Sequence, residues 1–115
     1  MVAGVVYGWP APATVPHDPF HNVLTARVPD DVHGDLVAPA VRVVELMVHP
    51  DHRGRGIGRT LLEQYVAEHP AAWLCTHPDP PARGLYDSAG WRQRGSFTTQ
   101  HGDPRLLYTW RSTDV

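Results

Sequence analysis

The run Arg53-Gly54-Arg55-Gly56-Ile57-Gly58 sets three alternating glycines between an apolar segment, Val41 to Val48, and an amphipathic one, Gly56 to Glu68. Glycine lets a backbone turn sharply and come close to a ligand. The first N–H groups of a helix starting there have no acceptor within the helix and carry the positive end of its dipole. That geometry suits a phosphate or pyrophosphate. Arg53, Arg55 and Arg59 add positive charge around the opening. A tight strand-to-helix turn with solvated arginines would use the same residues, so the glycines alone leave both readings open. Two better-known phosphate loops do not fit. A P-loop requires a Gly-Lys pair, and all ten basic residues here are Arg. A dinucleotide fingerprint needs two residues before its third glycine and an acidic residue closing the next strand. Here one residue separates Gly56 from Gly58, and the next apolar run ends in Thr76-His77.

Other residues could do chemistry nearby. Glu45 interrupts the apolar run, and alternation places it with Met47 on the face opposite Leu46 and Val48. It is a candidate base, or else a structural carboxylate paired with Arg42. His77, at the end of the following strand, is the alternative base, because strand ends of that kind face ligands in open α/β sheets. Eight histidines are present, but no helical His-x-x-x-His pair and no cysteine cluster accompanies them, so no metal is expected. His49 and His52 flank Pro50-Asp51 and are expected to line the loop. The single cysteine, Cys75, lies in an apolar run and reads as a buried structural thiol.

The chain has 115 residues, 42% hydrophobic and 19% charged, which suits one packed domain over residues 1–115. A net charge of −2 gives no basic face for nucleic acid. No apolar run reaches the roughly 20 residues needed to cross a bilayer, and no leader is evident, so the expectation is a cytoplasmic protein away from membranes. The sequence predicts a strand over Val2 to Trp9, a proline-rich loop over Pro10 to Pro19, and two short helical pieces between Phe20 and Val37. Val41 to Val48 reads as a central strand covered on both faces. A helix over Gly56 to Glu68 and a buried strand over Ala71 to Thr76 follow. A short helix to Ser88 enters through Asp79-Pro80-Pro81, and strands over Trp91 to Thr98 and Leu106 to Trp110 close the chain. This order is that of an α/β fold.

The stretch from Glu45 to Leu62 resembles the signature region of GNAT-type (Gcn5-related) N-acetyltransferases. Arg53, Gly56 and Gly58 match the pattern R/Q-x-x-G-x-G/A, and Leu46, Val48 and Pro50 match the L-x-V-x-P strand end before it. Asp79, Ala82, Leu85, Tyr86, Gly90 and Trp91 fall in register with a second motif, N-x-x-A-x-x-L-Y-x-x-x-G-F/W, with Asp79 where asparagine is usual. The resemblance implies a mixed β-sheet flanked by helices, binding acetyl-CoA as co-substrate. The backbone of Met47 and Val48 would bond the pantetheine arm, and the amides from Arg53 to Gly58 would hold the pyrophosphate. Asp79 would contact the pantetheine, though a carboxylate can only accept hydrogen bonds where asparagine also donates.

Tyr86 stands where the family places its general acid. A thiol pKa of about 8.5 and a phenol pKa of about 10 lie close enough for a phenol to protonate a departing thiolate. The implied activity is acetyl transfer to a small-molecule or peptide amine by direct attack, with Tyr86 as acid and Glu45 as base. Two other readings stand beside it: a GNAT-like module that binds coenzyme A without turnover, and a small α/β interaction domain. The family's usual first strand and first two helices have no counterpart ahead of Val2. Another protomer or the Pro10 to Pro39 segment would then supply that wall, or the encoded start lies upstream. The uncovered sheet edge favours a homodimer.

Overall fold

β1 (Gly4–Pro10) is one of the two edge strands of a five-stranded mixed sheet in the order β1-β2-β3-β5-β4, which also contains β2 (Val41–Val48), β3 (Ala71–Thr76), β4 (Arg92–Thr98) and β5 (Pro104–Arg111). The computed structural model describes residues 4–49, 51 and 56–112. β1 and β2 are antiparallel, β2 and β3 parallel, and β5 runs antiparallel to both β3 and β4. One sheet face carries α2 (Ile57–Val66) and α3 (Pro80–Ser88), the other α1 (Pro19–Arg27) and a 3-10 helix, Asp30–Leu36. Each predicted element within the described residues is present. Gly34 lies in the second of the two helical pieces, which forms the tighter 3-10 geometry.

Alternation in the strands divides the core. Val41, Val43, Ala72, Leu74, Leu106 and Tyr108 meet Leu62 and Val66 of α2 and Tyr86 of α3. Trp73 and Leu107 point the other way and meet Leu24 of α1 and Val32 and Leu36 of the 3-10 helix. The Pro10 to Pro39 segment thus builds the layer over β3, β5 and β4, within this same chain. An ionic cluster holds that layer down. Asp35 accepts from Arg94 Nη1 at 3.0 Å and from Arg111 Nη2, tying the 3-10 helix to β4 and β5. The Asp35 side chain is only 12% exposed, so this pair is better shielded from solvent screening than an open surface pair.

β2 corrects one expectation. It is not covered on both faces along its length: Val41 and Val43 are buried, but Met47 is 56% exposed. The ladder with β1 explains the change. Tyr7 pairs with Glu45 and Gly8 with Val43, so Val44 is an extra residue, a β-bulge. Beyond it the strand's faces are exchanged. Leu46 packs with the α2 face, whereas Glu45 and Met47 lie on the face of their partners Tyr7 and Val5. The bulge requires a glycine opposite, because a Cβ on Gly8 would stand 1.9 Å from the Arg42 carbonyl oxygen. That obstacle is backbone and cannot swing aside. Gly8→Ala should therefore lower the unfolding free energy by about 1–3 kcal/mol. Gly34→Ala, whose Cβ meets nothing within 4 Å, should change it by less than about 0.5 kcal/mol in the same urea titration.

Candidate functional site

β2 and β3 pair only at their first residues, Val41 with Ala72 and Arg42 with Trp73. Past that point the two parallel strands diverge. The starting end is clamped from one side, where the Arg42 guanidinium lies 4.9 Å from the centroids of both Phe20 and Trp73. The far end opens into a cavity of about 1240 Å3 bordered by Leu46, Met47 and Val48 of β2, Thr76 at the end of β3, the start of α2 and the inner side of α3.

The start of α2 differs from that of the other helices. Asp18 caps α1 by accepting from the His21 amide at 2.9 Å, and Asp79 caps α3 by accepting from the Ala82 amide at 2.9 Å. α2 begins at Gly56, which has no side chain to offer and stands at φ 73°, a left-handed conformation that favours glycine. No acidic residue sits in the first turn of α2, and Gly56, Ile57, Gly58 and Arg59 border the cavity. Close packing also explains Gly58: a Cβ there would come within 3.3 Å of Val48 Cγ2, so a larger side chain would push α2 away from β2. The Arg59 Nε donates to Glu63 at 2.6 Å, one turn along the helix. Arg53, Gly54 and Arg55, expected to complete this cradle, lie outside the described residues, as do Pro50 and His52.

At the other side of the cavity stands Tyr86, 7% exposed. Its ring is wedged between Trp91 and Tyr108, with centroids 5.8 and 5.3 Å away. Burial is the main reason its phenol is pushed up to about 12. The Thr76 side chain opposes that shift, and the carboxylates of Asp79 and Glu45 add to it. Glu45 is thus near enough for its charge to act on Tyr86 across the gap, although the two come from opposite faces of the sheet. Glu45 forms no ion pair among the described residues, and Arg42, its candidate structural partner, is engaged with the two aromatic rings instead. His77 also borders the cavity, with Nδ1 3.3 Å from Arg105 Nη1. Arginine can only donate, so in this contact Nδ1 is the acceptor.

The structure therefore brings together Met47, Val48, Gly56, Ile57, Gly58, Arg59, Asp79 and Tyr86 around one cavity; Glu45 does not line it, but shares a strand face with Met47, which does. The sequence reading missed Thr76, whose hydroxyl ends a strand facing the opening, and the contribution of Gly4 and Val5 from the edge strand. Cys75 is no part of the site; burial pushes its thiol up to about 12. Among the described residues no three His, Cys, Asp or Glu side chains are arranged to hold a metal, and no helix is long and apolar enough to cross a membrane.

The structure gives Asp79 a definite local task as the α3 cap. Asp79→Ala should cost about 1 kcal/mol, and Asp79→Asn, which can also cap, should cost only a few tenths. Thermal denaturation of both variants checks this; equal losses would mean that the cap contributes little.

Residues 21–93 match the family described as an acetyltransferase (GNAT) domain. No curated protein sequence matches the chain. Solved structures share its fold. An acetyltransferase of the GNAT family from Listeria monocytogenes superposes with a TM-score of 0.57 at 19% identity, covering 97% of this chain and 59% of that one. The ribosomal-protein-S18-alanine N-acetyltransferase from Escherichia coli gives 0.54 at 21%, covering 70% and 61%. Arabidopsis thaliana NAA60, in complex with acetyl-CoA, gives 0.55 at 19%, covering 63% and 48%. The matched part of this chain thus spans less than two thirds of the length of each of these proteins.

Proposed function

The chain belongs to the GNAT acetyltransferase family, and on that premise we propose that it binds acetyl-CoA in the gap between β2 and β3 and passes the acetyl group to an amine. One observation carries the reading. A single cavity is bordered at one side by a helix start without a side-chain cap and at another by a buried tyrosine.

The residues present fit the co-substrate. The amides opening α2 are free of any side-chain cap and suit a pyrophosphate, with Arg59 beside them. The divergence of β2 from β3 leaves the edge at Leu46 and Met47 without a β3 partner among the described residues, suited to an extended amide-bearing arm. The thioester supplies the activated acyl carbon. Glu45 accepts a proton from the attacking ammonium, directly or through a water. The amine nitrogen bonds to the acyl carbon, the carbon–sulfur bond breaks, Tyr86 gives its proton to the sulfur, and the second proton shed by the nitrogen as the amide forms restores the phenol.

Burial of Tyr86 has two consequences of opposite sign. At neutral pH the phenol stays protonated and ready to donate. It is also a weaker acid, and giving a proton to a thiolate of pKa about 8.5 would be uphill by about 5 kcal/mol. Desolvation raises a thiolate's pKa in the same direction, so a thiolate formed where water is excluded takes the proton more readily, which returns the transfer toward balance.

Calorimetry with acetyl-CoA is the first test, and no binding at near-millimolar ligand would sink the cofactor reading. Binding without release of free thiol across a broad amine panel would reduce the protein to a coenzyme A-binding module. Tyr86→Phe should lower kcat by roughly 100-fold while changing acetyl-CoA affinity less than about threefold; equal losses in both would argue against the acid. Because the Tyr86 pKa is raised, its acid form persists as pH increases. The rate should therefore climb with amine deprotonation and show no decline up to about pH 10. A descending limb centred near pH 9 would contradict the assignment.

A further inference from the structure

The two sheet faces are unequally covered. Over β3, β5 and β4 the second face is roofed by α1 and the 3-10 helix. Over β1 and the part of β2 beyond Arg42 no helix covers the same face among the described residues. Val5, Tyr7, Trp9 and Met47 are 40%, 45%, 50% and 56% exposed, and these four are the exposed large hydrophobic residues among those described. Register brings them together: Val5 faces Met47, Tyr7 faces Glu45, and Trp9 faces Arg42. The Tyr7 and Trp9 rings are neighbours, with centroids 6.5 Å apart. An apolar platform of this kind on a β-sheet marks a binding surface rather than ordinary exterior.

Two charged residues belong to the platform: Arg42, whose guanidinium is turned onto Phe20 and Trp73, and Glu45. Glu45 was brought to this face by the bulge, it makes no ion pair among the described residues, and Met47 beside it borders the acyl-transfer cavity. We propose that this face is the acceptor subsite and that the acceptor is a small arylalkylamine, an ammonium joined to an aromatic ring by a short aliphatic link. Glu45 takes the ammonium, and Tyr7 and Trp9 take the ring. The proposal rests on the acetyl-transfer reading and names its substrate class.

The dimensions select this class. Side chains on one face of a strand repeat every two residues, roughly 7 Å, so the step from the Glu45–Tyr7 pair to Trp9 matches a link of about two or three carbons between nitrogen and ring. A polyamine would need further carboxylates on the face, and its exposed side chains are otherwise apolar. An amine held at Glu45 lies next to Met47 and its partner Val5 on the same face, and both of these border the cavity. The aromatic side chains therefore hold the body of the acceptor while the carboxylate sets its nitrogen toward the thioester.

The test compares thiol release from acetyl-CoA with phenethylamine and tryptamine, with propylamine, with spermidine and with a lysine-bearing peptide. The expected result is a kcat/KM at least tenfold higher for the two arylalkylamines than for any other amine. Trp9→Ala, at an exposed position, should cut the ratio of phenethylamine to propylamine kcat/KM at least tenfold. Calorimetry of phenethylamine on the coenzyme A-saturated protein reads the subsite without turnover, and binding should fall at least tenfold in both Trp9→Ala and Glu45→Gln. Acetylation without aryl preference would overturn this proposal and leave acetyl transfer standing. Saturable amine binding with no turnover would do the reverse. Preference for the peptide, or a stable dimer in sedimentation that Trp9→Ala dissolves, would give the face to another occupant and overturn the proposal.

Discussion

Two parallel strands that stay paired for only two positions leave a row of backbone donors and acceptors facing a gap. In a sheet interior such groups are costly unless something satisfies them. The parting of β2 and β3 after Arg42 and Trp73 is the feature on which the other parts of the site depend. The opening stays local because both ends are held. At the closed end, Arg42 fills the space between Phe20 and Trp73 and is desolvated there, which lowers its pKa from the usual arginine value. At the open end, α2 meets β2 through Gly58 and Val48, and Leu85 of α3 also lies near Gly58. The helices thus prop the gap without filling it.

The same opening explains why Tyr86 can be buried and still border a cavity. Its ring packs on Trp91 and Tyr108, which belong to the sheet side of the core, and only the hydroxyl end approaches the gap beside Thr76. A side chain held in this way loses little further freedom when a substrate arrives. The orientation of the phenol is therefore provided by the hydrophobic core, and under the proposed role of Tyr86 the residues behind it would act on the chemistry without touching a ligand.

The bulge at Val44 does comparable work on the second strand. With regular alternation, Glu45 and Met47 would share the buried face of Val41 and Val43, and a carboxylate would lie against α2 at a large desolvation cost. One extra residue sends Glu45 to the bare face instead. It leaves Leu46 to continue the core, and Gly8 permits the close backbone approach that this demands. The layer formed by α1 and the 3-10 helix, tied by Asp35 to Arg94 and Arg111, stops short of β1 and leaves the platform open.

Much of this was legible in the residues. Hydrophobic periodicity marked β2, β3 and α2, proline and aspartate marked the entry to α3, and the glycine run marked an uncapped helix start. The spacing from Asp79 to Trp91 placed Tyr86 in its motif, and the two motifs together carried the resemblance to the GNAT family. These are local signals, since capping, turning and helical facing depend on residues a few positions apart. Three matters were settled only by contacts between distant segments. The bulge depends on Gly8 meeting the Arg42 carbonyl, more than thirty positions along the chain. The pKa of Tyr86 depends on the aromatic residues that enclose it. The bare platform depends on where α1 and the 3-10 helix come to rest. A strand's pattern tells which side chains alternate, but which face is covered is decided by what packs against it.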